Sequence, residues 1–311
     1  MNTKRWLNLG GFALAVFVVV AAITAMLVAR QQAISLITIT PEERRPYSTT
    51  PADFGMPVYE DIILITSDGL TLEGWYVPPQ NGATIIMAHG FTGNRATMLD
   101  EMQVLAEAGY GLIAVDHRAH GRSEGELVTF GYEEQLDLEA AYAYLLEQPD
   151  VDPERIGVYG ESMGASAVLF FAADNPAVEA VVVQTPYASI TDTAEVSVQF
   201  FTGLPPFPFA PMIVAFAQQH YPDNVRARDI APIEDVDDIA PRPVLLMVAG
   251  EDVVVSPEGW LENAESFGPH VELWYEPEVE HAGFSMPDGP VTDAFYARVL
   301  DFYANHLGTP R

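Results

Sequence analysis

The chain contains no cysteine, only one lysine and no visible internal repeat. Without cysteine, thiolate metal sites are excluded, whereas an oxidising and a reducing compartment both remain compatible with the sequence. Basic residues are scarce: 14 stand against 44 acidic residues, and three of the 14 lie within the first 30 positions. The remainder therefore has 11 basic residues and a net charge of −33. Such a surface repels nucleic acid, which we do not expect as a partner.

A long apolar segment lies near the N-terminus. Residues 7–29 carry no charge and exceed the about 20 residues that cross a bilayer. A cleaved secretory signal, with Lys4 and Arg5 as its basic region, is the alternative. It is disfavoured because a signal's apolar region has about 7–15 residues and because Leu27 stands where a cleavage site needs a small residue. We expect residues 1–30 to be a membrane anchor and residues 31–57, which contain four prolines, to be a linker.

The orientation of the anchor is predicted from the basic residues on its two sides. Lys4 and Arg5 precede the apolar segment, whereas Arg30, Arg44 and Arg45 follow it. The positive-inside rule counts these residues and finds a nearly even balance. We expect the N-terminus inside and the rest of the chain outside the cytoplasm.

From residue 58 to the C-terminus, short apolar segments alternate with helical patterns. Apolar strands separated by helices are typical of βαβ units, so we predict an α/β fold with a mostly parallel sheet and helices on both faces. The predicted strands are 61–66, 70–77, 84–88, 111–115, 155–159, 180–184, 244–248 and 271–275. The predicted helices are 98–107, 133–147, 165–173 and 292–306.

One connection, after the sixth predicted strand, is far longer than the others. Nearly 60 residues separate residue 184 from residue 243, which exceeds the usual loop between elements of a compact domain. We expect a lid insertion at about 187–230. Its aromatic side chains either line an apolar substrate pocket or pack on the core; the candidates are Phe200, Phe201, Phe207, Phe209 and Phe216.

The motif Gly160-Glu161-Ser162-Met163-Gly164 directly follows a predicted strand and precedes a predicted helix. A serine on such a sharp turn needs small neighbours, which the glycines supply. The turn presents the hydroxyl above the sheet edge and places the Met163 N–H at a helix start, where negative charge is stabilised. The alternative is a serine that serves only as a helix cap.

This motif resembles the nucleophile elbow of the α/β-hydrolase family, and the likeness extends over residues 60–307. The resemblance implies that Ser162 is the nucleophile of a serine hydrolase. His89-Gly90-Phe91 is similar to the turn that supplies an oxyanion-hole N–H in that family, which maps to Phe91 and complements Met163. His89 itself is then expected to be a structural ring that hydrogen-bonds the loop.

Two further segments resemble the family's other working parts. The loop Gly250-Glu251-Asp252-Val253-Val254-Val255 implies Asp252 as the triad acid, because Val255 completes a D-x-x-V pattern; Glu251 remains an alternative. The stretch Glu280-His281-Ala282-Gly283-Phe284 implies His281 as the general base. The order serine, acid, histidine is the one this fold uses.

The segment 116–123 is similar to a D-x-R-G-x-G-x-S loop of the family, with Ala119 at an expected glycine. We interpret it as structural, with Asp116 and Arg118 as a possible ion pair. A metal site at His117 and His120 is disfavoured, because their spacing matches no known ligand pattern. No cofactor or metal is expected.

The chain resembles α/β-hydrolases that are esterases, lysophospholipase-like enzymes or serine peptidases, and this resemblance implies acyl transfer through an acyl-serine intermediate. Among these we expect hydrolysis of carboxylic esters, with a small-molecule or lipid-like ester of an apolar acid as substrate. An aminopeptidase, amidase or thioesterase on the same fold is the alternative, with Glu195, Glu234 or Asp235 as acids that could hold a substrate amine. A non-catalytic binding protein on a hydrolase scaffold is an alternative of another class.

Overall fold

A single eight-stranded sheet organises the chain, for which a computed structural model describes residues 3–223 and 225–308. The strands follow the order β1-β2-β4-β3-β5-β6-β7-β8. The pairs β1/β2 and β2/β4 are antiparallel, and all other neighbours are parallel. The strands are β1 (Glu60–Ile65), β2 (Thr71–Val77), β3 (Thr84–Ala88), β4 (Gly111–Val115), β5 (Ile156–Glu161), β6 (Ala180–Gln184), β7 (Val244–Ala249) and β8 (Val271–Glu276).

Helices cover both faces of this sheet, which confirms the predicted fold class. Alternate residues of β3 point to opposite faces: Ile86 packs in a core with Val168, whereas Ile85 packs in a second core with Phe295. The helices are α1 (Thr3–Ile37), α2 (Leu99–Glu107), α3 (Gln135–Leu146), α4 (Met163–Asp174), α5 (Ile190–Thr202), α6 (Pro206–Ala217), α7 (Pro232–Asp235), α8 (Glu258–Glu262) and α9 (Thr292–His306).

The N-terminal helix α1 has two parts that differ in their surroundings. Its stretch Gly11–Ile37 is long and apolar enough to cross a membrane, and apolar side chains such as Phe12 and Leu27 are exposed. The last turns differ because Ala29, Ala33 and Ile37, spaced four residues apart on one face, are buried against a cluster that includes α6. The side chains of Lys4 and Arg5 lie outside the described part of the chain.

The segment 31–57, which the sequence predicts to be a linker, contains regular structure and contacts the sheet domain. Helix α1 continues to Ile37, past the predicted boundary at residue 30. Thr38 then forms a β-bridge with Leu127, and the Tyr47 hydroxyl donates to Asp116 Oδ2 at 2.8 Å. These contacts hold the segment against the sheet domain. The domain limits given in the sequence analysis remain predictions.

The insertion after β6 forms a helical cap. Helices α5 and α6 meet at 102° and pack on each other and, through α6, on α1. Ser189 begins α5 by accepting the Asp192 N–H at 3.1 Å, and Gly203 ends it in the left-handed conformation with φ 69°. The predicted insertion therefore contains a pair of helices, and residues of both line a cavity together with Ser162, which follows the carboxyl end of β5.

Candidate active site

Ser162 lies on the turn between β5 and α4 with a strained backbone, φ 54° and ψ −119°. Such a conformation is costly for a residue with a side chain and persists only when the surroundings enforce it. Although Ser162 occupies the N-cap position of α4, its side chain makes no capping hydrogen bond. The helix-cap interpretation therefore does not account for this serine.

The two glycines of the motif are required by close backbone approaches. A Cβ on Gly164 would lie 2.3 Å from the Ala88 carbonyl oxygen, and one on Gly160 would lie 2.5 Å from the Gly164 carbonyl oxygen. Only residues without a side chain fit there. The glycines let α4 begin directly against the end of β3, which keeps the Ser162 turn tight.

The structure brings Ser162, Asp252 and His281 together from three loops. His281 Nε2 lies 2.9 Å from Ser162 Oγ, and His281 Nδ1 lies 2.6 Å from Asp252 Oδ2. The Asp252 side chain is only 3% exposed and that of His281 17% exposed. Glu251, the alternative acid, is exposed and has no hydrogen bond to His281 among the described residues. The geometry thus selects Asp252 as the partner of the imidazole.

Phe91 and Met163, the two residues predicted to donate backbone N–H groups, lie beside Ser162. Met163 is the first residue of α4, and the first N–H of a helix has no acceptor within that helix. Phe91 follows Gly90, where a Cβ would lie 3.3 Å from Ser162 Cβ. Phe91, Ser162 and Met163 line the same cavity. Both residues are therefore close enough to the serine for the role in an oxyanion hole that we propose below.

Two buried histidine rings, those of His89 and His120, support the turn that carries Phe91. His89 Nδ1 lies 2.8 Å from the Gly90 carbonyl oxygen, and His89 Nε2 accepts the His117 N–H. His120 Nε2 accepts the Thr92 N–H. Burial lowers the pKa of His89 well below its usual value and that of His120 to about 4. These rings are therefore neutral at pH 7, and their contacts make His89 the structural ring that the sequence predicts.

The interpretation that Asp116 pairs with Arg118 is wrong. Arg118 instead contacts the fully buried Asp137, whose Oδ1 lies 2.9 Å from the guanidinium, and also Asp68. Asp116 accepts the backbone N–H groups of Arg95 and Arg122. Asp137 belongs to α3 and lies 19 residues after Arg118, beyond the reach of the local D-x-R pattern, and so that pattern does not indicate this pair.

A cavity beside Ser162 is lined almost entirely by apolar side chains. Of the five predicted lid aromatics, only Phe201 lines it. Phe207 lines a neighbouring cavity, Phe200 is exposed, and Phe209 and Phe216 pack among the cap helices. The cavity at Ser162 is also lined by residues that the sequence does not indicate: Ala33, Leu36 and Ile37 of α1, Phe130 and Tyr187, and Val254 and Val255 beside Asp252.

Two acidic residues, Glu161 beside the serine at the end of β5 and Glu101 on α2, have raised pKa values. Burial, and then the nearby Glu101 carboxylate, raise the pKa of Glu161 to about 8; burial raises that of Glu101 to about 7. Gln184 Nε2 lies 3.2 Å from Glu161 and 3.3 Å from Ser285 Oγ. Desolvation disfavours the charged form of a carboxyl group, which is why both pKa values are raised. Glu161 is part of the motif, but its partners come from remote segments.

Comparison with known proteins gives related sequences and structures. The profile of a family described as serine aminopeptidase, S33, matches residues 79–231. The α/β-hydrolase domain-containing protein WAV2 of Arabidopsis thaliana is 31% identical over 58% of this chain and 60% of its own length. The uncharacterised protein YfhR of Salmonella typhi is 26% identical over 85% of this chain and 84% of its own. An uncharacterised Mycobacterium tuberculosis protein is 29% identical, and the match spans 64% of either chain.

A solved structure matches a larger share of this chain than most of these sequence relatives do. The Pyrococcus furiosus esterase Pf2001 superposes with a TM-score of 0.73 at 27% identity, covering 88% of this chain and 99% of the esterase. An acylaminoacyl peptidase of Pyrococcus horikoshii superposes with a TM-score of 0.62 over 81% of this chain and 42% of the peptidase. At 19% identity, the latter shares the fold alone.

Proposed function

The chain belongs to the α/β-hydrolase superfamily, and from this premise we propose that it is a serine hydrolase of carboxylic esters. The observation that carries the proposal is the chain of two hydrogen bonds from Ser162 Oγ through the His281 ring to Asp252, at 2.9 and 2.6 Å. A nucleophile, a base and an orienting acid in that order form the arrangement that activates serine.

The mechanism follows from these contacts. His281 Nε2 takes the Ser162 proton while Oγ attacks the ester carbonyl, and Asp252 holds the ring so that Nε2 faces the serine. The N–H groups of Phe91 and Met163 stabilise the oxyanion, a contribution of about 3–4 kcal/mol for each such donor. The leaving alcohol takes the proton from His281. Water, activated by the same ring, then cleaves the acyl-serine and releases the acid.

The substrate proposal, an ester of an apolar acid, is supported by the lining of the cavity. Among the described residues, no carboxylate lines the cavity at Ser162. Glu195 lines a neighbouring cavity, and Glu234 and Asp235 line another near α3 and α4. An aminopeptidase needs an acid beside the scissile bond to hold a substrate amine, so we favour the ester over the peptide.

The proposal is tested by labelling the protein with a fluorophosphonate and by measuring turnover of p-nitrophenyl octanoate. We expect label and turnover to disappear in Ser162→Ala and to persist in Ser266→Ala, which alters an exposed serine. Turnover that persists in Ser162→Ala would refute the serine mechanism. A wild-type protein that neither reacts nor turns over would support a binding protein on this scaffold.

A second assay distinguishes ester from amide hydrolysis. We expect p-nitrophenyl octanoate to be cleaved faster than an aminoacyl p-nitroanilide by the same preparation, because the apolar cavity holds an acyl chain and offers an amine no counter-charge. Faster cleavage of the anilide would replace the esterase proposal by the aminopeptidase alternative.

We also propose that α1 anchors the protein in a membrane, with the hydrolase domain outside the cytoplasm. The absence of cysteine makes this testable with introduced thiols. In intact cells, a membrane-impermeant maleimide should label Glu265→Cys, an exposed position in the hydrolase domain, and should leave Thr3→Cys unlabelled until the cells are opened. The reverse pattern would invert the topology, and recovery of both variants in the soluble fraction would refute the anchor.

A further inference from the structure

The last turns of α1 lie between two cavities of opposite character. The apolar cavity at Ser162 is lined by Ala33, Leu36 and Ile37. A second cavity lies on the other side of the Phe91 turn and is lined by polar residues of α1 and of the segment that follows it, including Gln32, Ser35, Arg44 and Arg45. One helix therefore contributes to the walls of both cavities.

Three side chains border both cavities: Leu36, Phe91 and Phe201. The rings of Phe91 and Phe201 meet edge to face, with centroids 5.5 Å apart. Phe91 is also the proposed oxyanion donor. An ester held at that donor would place its acyl chain on the apolar side and its alcohol portion on the polar side.

The polar cavity carries a positive charge in a strongly acidic protein. Arg44 is held by the Ser123 and Gly125 carbonyl groups. Arg45 is exposed, and within the described residues no carboxylate forms a salt bridge with it. Glu43, the carboxylate of this cavity, accepts hydrogen bonds from Thr40 at 2.9 and 2.8 Å. An anion in the cavity would therefore find the Arg45 guanidinium available.

The position of α1 relates these cavities to the proposed membrane. Its uncharged sequence ends at Arg30, followed by Gln31 and Gln32, so the hydrocarbon boundary lies near residue 30. Leu36 is six residues further along the helix, or about 9 Å at 1.5 Å per residue. The cap beside α1 exposes Phe200 and Phe207. Both cavities therefore lie within reach of a lipid that remains in the same leaflet.

From these observations we infer that the substrate is a single-chain ester lipid with an anionic head group, and that Arg45 and Leu36 determine this specificity. The acyl chain occupies the apolar cavity, and the head group lies beside Arg45. Water adds across the acyl–oxygen bond: the acyl carbon gains the hydroxyl to give a fatty acid, and the head-group oxygen gains the proton. The inference rests on the proposed esterase activity.

The head group is tested with two esters of the same acyl chain, dodecanoyl glycerol and dodecanoyl glycerol 3-phosphate, each at low mole fraction in a non-ionic detergent. We expect the full-length protein to have the higher kcat/KM for the phosphate ester. Arg45→Gln should lower the ratio of the two kcat/KM values about tenfold, the loss of about 1.4 kcal/mol in the interaction with the anion. Arg298→Gln, which alters an arginine on α9 that lines neither cavity, should leave the ratio unchanged.

The acyl side is tested by filling the cavity from α1. Leu36→Trp should lower the ratio of p-nitrophenyl dodecanoate to p-nitrophenyl butanoate turnover at least tenfold, because the added ring occupies the space of the distal chain. The smaller change Ala33→Val should shift the preference in the same direction if the tryptophan variant fails to fold. Ala22→Trp, on the exposed part of the same helix, is the matched control and should leave the ratio as in the wild type.

The outcomes separate this inference from the activity on which it rests. If the wild type cleaves none of the p-nitrophenyl esters from butanoate to dodecanoate, the proposed esterase function fails. If it cleaves these esters but cleaves the glycerol ester as fast as the phosphate ester, the head-group inference alone is refuted. Unchanged chain-length ratios in Leu36→Trp and Ala33→Val would refute the role of α1 in the acyl site.

Discussion

The two carboxylate oxygens of Asp252 contact different groups. Oδ2 lies 2.6 Å from His281 Nδ1, whereas Oδ1 accepts the N–H groups of Val254 and Val255 at 2.8 and 2.7 Å. The loop therefore holds the carboxylate through contacts that do not involve the imidazole. Because Val254 and Val255 also line the apolar cavity, the orientation of the acid and the shape of the acyl site depend on the same three residues.

Replacing this acid should abolish most turnover without unfolding the protein. In Asp252→Asn the amide cannot hold the imidazole with its proton on Nδ1, so Nε2 no longer accepts the serine proton, and kcat for p-nitrophenyl octanoate should fall by a factor on the order of 10³–10⁴. The thermal unfolding midpoint should stay close to that of the wild type. Glu251→Gln is the matched control and should retain activity; the opposite pattern would assign the acid to Glu251.

The tight approach of α4 to β3 gives a second prediction. In Gly164→Ala the new Cβ would lie 2.3 Å from the Ala88 carbonyl oxygen and 2.5 Å from that of His89, so the turn must shift. We expect a loss of about 1–3 kcal/mol in stability and at least a hundredfold loss in kcat, because Ser162 and both oxyanion donors move. Gly11→Ala, where a Cβ meets no atom within 4 Å, should change neither; equal behaviour of the two variants would contradict the steric argument.

The sequence predicts the sheet and the position of Ser162 because both leave local signals, whereas Asp252 and His281 follow only from the resemblance to the α/β-hydrolase family. Each buried strand is a continuous apolar run, and Ser162 lies within a turn whose glycines are required by sterics. The role of α1 leaves no such signal. Ala33 and Ile37, which pack on the cap, are no different in kind from residues of the same helix that face outward. Only the tertiary structure distinguishes the two parts of the helix.

Charge pairs are also poorly predicted from sequence. Asp116 and Arg118 are neighbours along the chain, but Arg118 finds its partners in the β1–β2 turn and on α3. In a chain with 44 acidic residues, many carboxylates are available, and packing decides which one is desolvated beside the guanidinium. The same holds for the lid: five phenylalanines share one insertion, yet only Phe201 reaches the cavity at Ser162.

The buried pair of Arg118 and Asp137 gives a stability prediction. The Asp137 carboxylate also accepts the Arg118 backbone N–H at 2.8 Å and contacts His117 Nδ1 at 3.2 Å. Asp137→Asn leaves the buried guanidinium partly uncompensated, so the free energy of unfolding should fall by about 3 kcal/mol. Asp301→Asn, at an exposed helical position, should change it little. The comparison is made by chemical denaturation in detergent at pH 7; similar losses in the two variants would refute the pairing argument.

The raised pKa of Glu161 predicts how stability depends on pH. Burial raises this pKa from 4.5 to about 8, so between these values the folded protein binds a proton that the unfolded chain has released. Folding stability due to this group therefore falls as the pH rises, by up to about 1.4 kcal/mol per pH unit, and it levels off above about pH 8. The glutamine in Glu161→Gln cannot ionise, so this variant does not lose folding stability at this position as the pH rises.

The difference in unfolding midpoint between Glu161→Gln and the wild type reports the ionisation of Glu161 together with its coupling to Glu101, because the more distant acidic residues contribute equally to both proteins. We expect the variant to gain stability relative to the wild type as the pH is raised from about 5 to 8. Glu265→Gln, at an exposed position, should show a constant difference over the same range. A constant difference for Glu161→Gln as well would mean that Glu161 ionises in the folded protein as readily as in the unfolded chain, and that this carboxyl group beside the serine does not retain a proton.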